Sequence, residues 1–197
     1  NEQNSAAALD LGSYINGTKG TANGYFELSA TISETTGSWL SLGFSIFNEP
    51  LVTTGEVENE PADFTTTLTQ GIGTVIYRSS GVLDMFTGPG TGGTESVIPS
   101  GDRTVSGERT LTVALDLRDF DAGTNNFGSI TWSDSAVGEI GSGEFDADYS
   151  FGSILLSSSK STGTYDNLTL TQVPEPSAAL LIGLSVVGLA MVRRRRS

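Results

Sequence analysis

The sequence of 197 residues contains no cysteine and no histidine. Without cysteine there are no disulfides and no thiolate metal sites, and without histidine there are no imidazole ligands and no Ser-His-Asp or Cys-His triad. A bound metal would have to be a hard cation held by oxygen atoms, with Ca²⁺ as the first candidate. No other cofactor is indicated.

Positive charge is also scarce and unevenly placed. The chain has 10 basic and 23 acidic residues and a net charge of −13. Four of the basic residues are Arg193, Arg194, Arg195 and Arg196, which leaves 6 basic against 23 acidic groups, or −17, on the remainder. Such a surface repels phosphate backbones, so it argues against nucleic-acid binding and is typical of a soluble secreted domain.

The start of the sequence lacks the features of a signal peptide. It begins at Asn1 and has neither a basic segment nor an apolar run there. We therefore expect that a signal peptide has been removed or left out. Residues 1–8 are predicted to be a short mature N-terminal segment.

The last 25 residues differ from the rest of the chain. Val173, Pro174, Glu175 and Pro176 precede an uncharged apolar stretch at 177–192, and the arginine cluster follows. As a helix this stretch would be about 24 Å long, enough to span a locally thinned bilayer. The arginines would stay in the cytoplasm, with residues 1–172 on the other side. The two prolines favour an extended, accessible segment before the helix.

This order of Pro-Glu-Pro motif, hydrophobic segment and terminal arginines resembles the PEP-CTERM sorting signal. The resemblance implies recognition by an exosortase, a membrane enzyme that cleaves near the motif, in bacteria that make exopolysaccharide and biofilm matrix. It implies an exported protein of the cell envelope, outer surface or extracellular matrix, whose C-terminus first lies in the inner membrane facing the cytoplasm. A plain C-terminal membrane anchor is the alternative.

The pattern of residues 1–172 predicts one all-β domain. Short segments in which apolar residues recur at every second position alternate with turns rich in glycine, serine and threonine. No helix of useful length is expected before the tail. The pattern favours an antiparallel β-sandwich or jelly roll. The predicted strands are Tyr25–Ser33, Trp39–Phe47, Gly73–Arg78, Val82–Phe86, Arg109–Leu117, Ser129–Ser133, Tyr149–Ser157 and Tyr165–Gln172.

The strand order and the ending at 163–170 (Gly-Thr-Tyr-Asp-Asn-Leu-Thr-Leu) are similar to concanavalin A-like (LamG-type) jelly rolls. The resemblance covers most of residues 9–172. It implies glycan binding, adhesion or, in some branches, glycan cleavage, and the fold alone does not choose among these.

Three carboxylates occur at alternate positions in Glu144, Asp146 and Asp148. In a strand they would share one face. The spacing resembles the catalytic strand of family 16-type glycoside hydrolases, which implies Glu144 as nucleophile and Asp146 as the middle carboxylate. Asp148 stands where that pattern has glutamate, and its shorter side chain argues against the ~5 Å carboxylate pair that retaining chemistry needs. A solvated acidic edge is the alternative.

A second acidic cluster surrounds Gly123 and contains Asp116, Asp119, Asp121 and Asn125. A segment with so many oxygen-bearing side chains resembles a Ca²⁺-binding loop. Its glycine, however, comes too early for an EF-hand, and no bidentate glutamate follows. The alternative is an Asx-turn, in which Asp and Asn side chains bond their own backbone after a strand.

Candidate ligand-binding residues are aromatic side chains beside Asp or Asn, since a flat apolar face with flanking polar groups is typical of sugar sites. The residues that fit are Trp132, Asp134, Tyr165, Asp166 and Asn167. Burial in the core is the alternative for each aromatic residue.

The sequence favours a non-enzymatic function, the first of three, and leaves the other two as alternatives. The first is non-catalytic binding of glycan, in particular of the cell's own exopolysaccharide. The second is self-assembly of a homo-oligomeric surface layer or filament through open sheet edges. The third is a glycoside hydrolase that uses Glu144.

Overall fold

In the computed structural model, the residues described are 5–33, 39–46, 52–54, 71–78, 83–88, 96–97, 108–159 and 163–173. They form twelve β-strands and one short helix. The strands are β1 Ser5–Asp10, β2 Tyr25–Ile32, β3 Trp39–Ser45, β4 Val52–Thr54, β5 Gly71–Arg78, β6 Leu83–Phe86, β7 Ser96–Val97, β8 Arg109–Asp116, β9 Ser129–Asp134, β10 Gly138–Glu144, β11 Ser153–Ser159 and β12 Tyr165–Gln172. The helix, α1, is Gly12–Asn16.

The strands form two antiparallel sheets, as the sequence predicts. One has seven strands in the order β4-β1-β11-β3-β5-β6-β7, and the other has five in the order β10-β9-β8-β2-β12. Every recorded pairing is antiparallel. The body is therefore an antiparallel β-sandwich, and the predicted strands Gly73–Arg78 and Val82–Phe86 correspond to β5 and β6, which pair with each other.

The core lies between the sheets and follows from side-chain alternation. In β8, residues at odd positions such as Leu111, Val113 and Leu115 are fully buried, while the even positions face outward and are half-buried. β2 supplies Phe26 and Leu28 to the same cluster. Burying such side chains contributes roughly 1.5–3 kcal/mol each, so the core stabilises the sandwich without disulfides.

Two central strands depart from simple alternation. β3 is buried on both faces along its whole length, and β5 is buried up to Tyr77. Trp39, Ile76 and Phe86 form a second, smaller apolar cluster. Strand register places Trp39 and Ile76 on the opposite face of the sheet from core residues such as Leu42, so the smaller cluster lies outside the space between the two sheets.

The N-terminal segment is part of the sheet. Residues 5–10 form β1, which pairs with β11 on one side and β4 on the other. The sequence analysis predicts no strand within this N-terminal segment, whereas residues 5–8 belong to β1. Ala6, Ala7 and Ala8 give no strong local strand signal, and the pairing with a strand some 150 residues away decides the conformation.

Several strands of the five-stranded sheet begin or end at one end of the sandwich, which we call the tail-proximal end. Here β2 begins at Tyr25, β8 ends at Asp116, β10 ends at Glu144 and β12 ends at Gln172. The backbone N–H of Val173, the last described residue, donates to the carbonyl oxygen of Tyr25 at 3.0 Å. The chain therefore leaves the sandwich toward the sorting motif from this end.

Candidate functional site

The outer face of the five-stranded sheet carries an array of hydroxyl groups, which we call the hydroxyl face. Directly paired residues on neighbouring strands share one face of a sheet. A single row of paired residues runs across β9, β8, β2 and β12 through Ser133, Thr112, Ser29 and Thr169. The hydroxyl face consists of Ser29, Thr31, Thr110, Thr112, Thr131, Ser133, Thr169 and Thr171.

Neighbouring hydroxyls on this face hold one another in place. Thr112 Oγ1 donates to Ser29 Oγ at 3.1 Å, and the Oγ1 atoms of Thr31 and Thr110 also lie 3.1 Å apart. Each hydroxyl carries one donor and two acceptor positions, so these pairs keep capacity for a further partner. Strands about 4.8 Å apart, with same-face residues about 6.8 Å apart along them, give a regular grid of hydrogen-bonding groups.

An ionic and aromatic group borders the hydroxyl face at the tail-proximal end. Arg118 donates to both carboxylate oxygens of Asp116, at 2.9 and 2.6 Å, and its guanidinium carbon lies 4.8 Å from the ring centroid of Tyr25. The Tyr25 hydroxyl donates to Glu27 at 3.3 Å. The Arg118 hydrogen bonds lower the pKa of Asp116, whereas burial, followed by the charge of Glu27, raises the pKa of Tyr25.

Acidic groups dominate the surroundings of the face. By strand register Glu27, Asp116, Glu139, Glu144 and Asp166 lie on the same side of the sheet as the hydroxyls. Arg118 is the only cation that borders the face among the described residues, and it is already paired with Asp116. The face therefore offers hydroxyl and carboxylate oxygens, in an environment that repels anions.

Two of the predicted ligand residues belong to the core instead. Trp132 is 1% exposed, and its indole N–H donates to the carbonyl oxygen of Gly73 at 3.0 Å, so it has no open ring face for a sugar. Asp134 is buried with Arg109, and their charged atoms lie 3.1 Å apart. Both predictions fail for one reason: Ile130, Trp132 and Asp134 share the inward face of β9.

The Tyr165 hydroxyl is also used inside the protein. It lies 2.7 Å from the Ser41 carbonyl oxygen and 2.6 Å from that of Ser157, and it accepts the Ser41 N–H at 2.9 Å. Burial raises the pKa of Tyr165. Its hydroxyl thus joins the two sheets rather than a ligand.

Asp166 and Asn167 are exposed, as a ligand site requires, and lie in a β-bulge of β12. Asn167 adopts a left-handed backbone conformation with φ of 51°, which asparagine tolerates better than most residues. The Asp166 carboxylate accepts the backbone N–H of Asn167 at 2.7 Å. Asp166 pairs with Thr31, and this register places it on the same side of the sheet as the hydroxyl face.

The three carboxylates proposed for hydrolysis do not share one face of a strand, because β10 ends at Glu144. Asp146 accepts a hydrogen bond from the Tyr149 hydroxyl, and Asp148 pairs with Lys19 at 2.6 Å. Burial, and then the hydrogen bond to Asp146, raise the pKa of Tyr149 to about 12. Asp148 helps to pin the loop at 145–152 to the body rather than completing a catalytic carboxylate pair.

The proposed Ca²⁺ loop has the geometry of an Asx-turn. The Asp121 carboxylate accepts the backbone N–H of Gly123 at 2.9 Å, and both Asp116 oxygens are engaged by Arg118. Asp119 and Asn125 are exposed, and Asn125 has a φ of 57°. Within the described ranges, no three acidic side chains converge in a way that could hold a metal ion.

Sequence reasoning missed Tyr25 and Arg118 as members of a surface group. The alternation in residues 109–117 already indicates that Thr110, Thr112 and Asp116 face outward. The pairing of Tyr25 with Asp116, however, joins strands about 90 residues apart, and no local pattern reveals it.

The predicted membrane helix and most of the sorting motif lie outside the described residues. Val173 is described and exposed, whereas Pro174, Glu175, Pro176 and the arginines at 193–196 are not described. No helix in the described part of the chain is long and apolar enough to cross a membrane. The helix at 177–192 and its orientation stay predictions.

Comparison with known proteins bears on the two parts of the chain separately. No curated protein shows a significant match. Among solved structures, a human SPRY domain is similar over 86% of this chain and 85% of its own, with 13% identity and a TM-score of 0.37. A likeness this loose carries no argument, and the fold rests on the strand pairing itself.

The C-terminal tail matches a known protein family. Residues 172–196 match the family described as the PEP-CTERM protein-sorting motif. This motif is the recognition signal of an exosortase and implies sorting to the cell envelope. The match covers the tail alone and leaves the family of the β-sandwich open. The chain is therefore an exported protein whose C-terminal segment carries the sorting signal that an exosortase recognises.

Proposed function

We propose that this protein binds polysaccharide of the cell surface or biofilm matrix, without cleaving it, on the hydroxyl face. The observation that carries the proposal is the row of paired Ser and Thr hydroxyls that crosses four strands through Ser133, Thr112, Ser29 and Thr169. Hydroxyl groups that both donate and accept can match the many hydroxyls of a repeating sugar chain. A long polymer engages many such weak contacts at once, which raises the overall affinity.

The charge around the face supports a ligand without acidic groups. Five carboxylates lie on this side of the sheet, and Arg118, the one cation there among the described residues, is bound to Asp116. A polymer of uronic acids or sulfated sugars would meet like charge. We therefore propose a neutral or amine-bearing polysaccharide, whose hydroxyls or ammonium groups donate to the carboxylates.

Self-assembly through β12 finds less support in the geometry. β12 is the edge strand next to β2, and it is exposed over most of its length. The bulge at 166–169, with the exposed Asp166, is a feature that natural proteins use to prevent an edge strand from pairing with another chain. A homo-oligomer would therefore need a different surface.

The proposal is tested by sedimenting the full-length protein, in detergent, with exopolysaccharide from the producing cells. The double variant Thr112→Val, Thr131→Val removes two hydroxyls but keeps side-chain shape and strand preference. At about 1 kcal/mol for each lost hydrogen bond, we expect binding to weaken roughly 10- to 30-fold.

Thr124→Val is the matched control, because Thr124 is exposed in the loop between β8 and β9 and is not one of the residues of the hydroxyl face. Its affinity should equal that of the wild type. No binding by the wild type, or equal binding by the double variant, would refute the proposal. Release of reducing sugar from the polymer would refute the non-catalytic part.

A further inference from the structure

We infer that the tail-proximal end of the folded body is a contact surface for the exosortase in the membrane-inserted precursor. The surface is defined by Tyr14, Asn23 and Gln172, next to the point where the chain leaves the sandwich. The inference is independent of polysaccharide binding. It depends on the sorting motif at 172–196 and on the predicted membrane segment at 177–192.

The first step is that the body is held together up to the residue before the motif. The Tyr14 hydroxyl donates to Gln172 Oε1 at 2.6 Å, and Gln172 Nε2 donates to the Asn23 carbonyl oxygen at 2.7 Å. The Val173 N–H then donates to the Tyr25 carbonyl oxygen at 3.0 Å. We call these contacts the tail clamp. The tail clamp therefore holds the chain against the body up to Val173, the residue before Pro174.

The second step is the short distance from the clamp to the membrane. Three residues, Pro174, Glu175 and Pro176, separate Val173 from the apolar stretch that begins at Ser177. Four fully extended Cα–Cα steps reach at most about 14 Å. The headgroup layer alone occupies roughly 5–8 Å on each side of the hydrocarbon core. An enzyme that grips the motif therefore has to lie against the folded body.

The third step is the chemistry of the surface that the enzyme would meet. Tyr14 is 48% exposed, and its ring packs edge-on against Phe26 with centroids 5.7 Å apart, so it is a fixed and accessible aromatic group. Thr21 and Asn23 beside it are exposed and polar. An anchored tyrosine with polar neighbours is typical of residues that contribute to protein–protein interfaces.

The test is site-specific photo-crosslinking of the full-length precursor in cells that contain the exosortase. A photoreactive phenylalanine derivative replaces Asn23, whose backbone carbonyl, rather than its side chain, takes part in the clamp. The matched control carries the same group in place of Val137, which is 52% exposed in the β9–β10 turn at the opposite end. We expect a crosslink to the exosortase from position 23 and none from position 137.

A spacer provides the second arm. About 12 Gly/Ser residues inserted between Val173 and Pro174 would add roughly 20 Å of average reach, so the crosslink from position 23 should fall several-fold while processing of the tail continues. The inference is overturned if both positions crosslink equally, if the spacer leaves the crosslink unchanged, or if position 23 gives no crosslink although the tail is processed normally. Failure of polysaccharide binding would not affect this result.

Discussion

The buried ion pair between Arg109 and Asp134 allows a quantitative prediction of the free energy of unfolding. Asp134 was also a predicted ligand residue, so the prediction shows how its variants should be interpreted. Asp134 Oδ2 lies 3.1 Å from Arg109 Nη1, and the two side chains are 0% and 3% exposed. The contact lacks hydrogen-bond geometry, and neither atom has another hydrogen-bond partner among the described residues. Each charge therefore depends on the other for compensation of its burial.

We expect Asp134→Asn to lower the free energy of unfolding by about 3–5 kcal/mol, the usual cost of removing one partner of a buried pair. At an effective dielectric constant of about 20, the Coulomb attraction over 3.1 Å is also about 5 kcal/mol. Asparagine keeps the size of the side chain and the oxygen that accepts the Ala136 N–H at 2.7 Å. The loss of stability would therefore come from the removed charge and not from a changed turn at 134–136.

The assay is equilibrium unfolding in urea, in a fixed detergent background, for the wild type, Asp134→Asn, Arg109→Met and the double variant. We expect each single variant to shift the midpoint with little change in slope, and the double variant to recover most of the loss. A cost below about 1 kcal/mol for Asp134→Asn would mean that the pair behaves as a solvated surface ion pair, and the reasoning would be refuted.

Three further predictions follow from the hydrogen bonds of individual residues. Tyr165→Phe should cost about 1–3 kcal/mol in urea unfolding, because buried backbone carbonyls of the seven-stranded sheet lose the partner that β12 supplies; a cost near zero would contradict this. Arg118→Met should destabilise at neutral pH, and this effect should disappear in acid: Arg118 lowers the pKa of Asp116, so the stability gained is present above the unfolded-state pKa of ~3.9 and lost as pH falls through the lower pKa of the folded state. An effect independent of pH would exclude that linkage. Tyr149 should ionise near pH 12 in an ultraviolet absorbance titration, with that phase absent in Tyr149→Phe; the corresponding stability is complete below about pH 10 and lost as pH rises through 12.

Local pattern predicted those strands in which one face meets the core and the other meets solvent. β2, β8 and β12 lie where the sequence places them, to within one residue at each end. β11 begins at Ser153 rather than Tyr149, because residues 145–152 form the connection at the tail-proximal end. β1, β4 and β7 were missed, since their sequences are short or weakly β-forming and only pairing with other strands fixes them. β10 was missed as well, because its glycine-rich sequence is weakly β-forming and pairing with β9 fixes it.

For the candidate site, too, local pattern identified some features, and long-range strand pairing decided the others. Trp132 and Asp134 were predicted to bind ligand because an aromatic residue beside an acid is typical of sugar sites, yet both face inward on β9. The alternation within 129–134 contains that information, but it becomes decisive only when Ile130 is known to lie in the core. The hydroxyl face required the registers of four strands before its members could be identified as neighbours.

The amino-acid sequence alone predicts the sorting signal and the all-β fold class, and it excludes chemistry that needs cysteine or histidine. The sorting signal lies in contiguous residues at 172–196, and the absence of cysteine and histidine removes whole classes of chemistry. Two contacts become visible once the sheets are assembled: Tyr14 meets Gln172 across 158 positions of sequence, and Asp134 is buried with Arg109. The physical reason is that alternation specifies two faces for a strand, whereas long-range pairing decides which neighbours each face has.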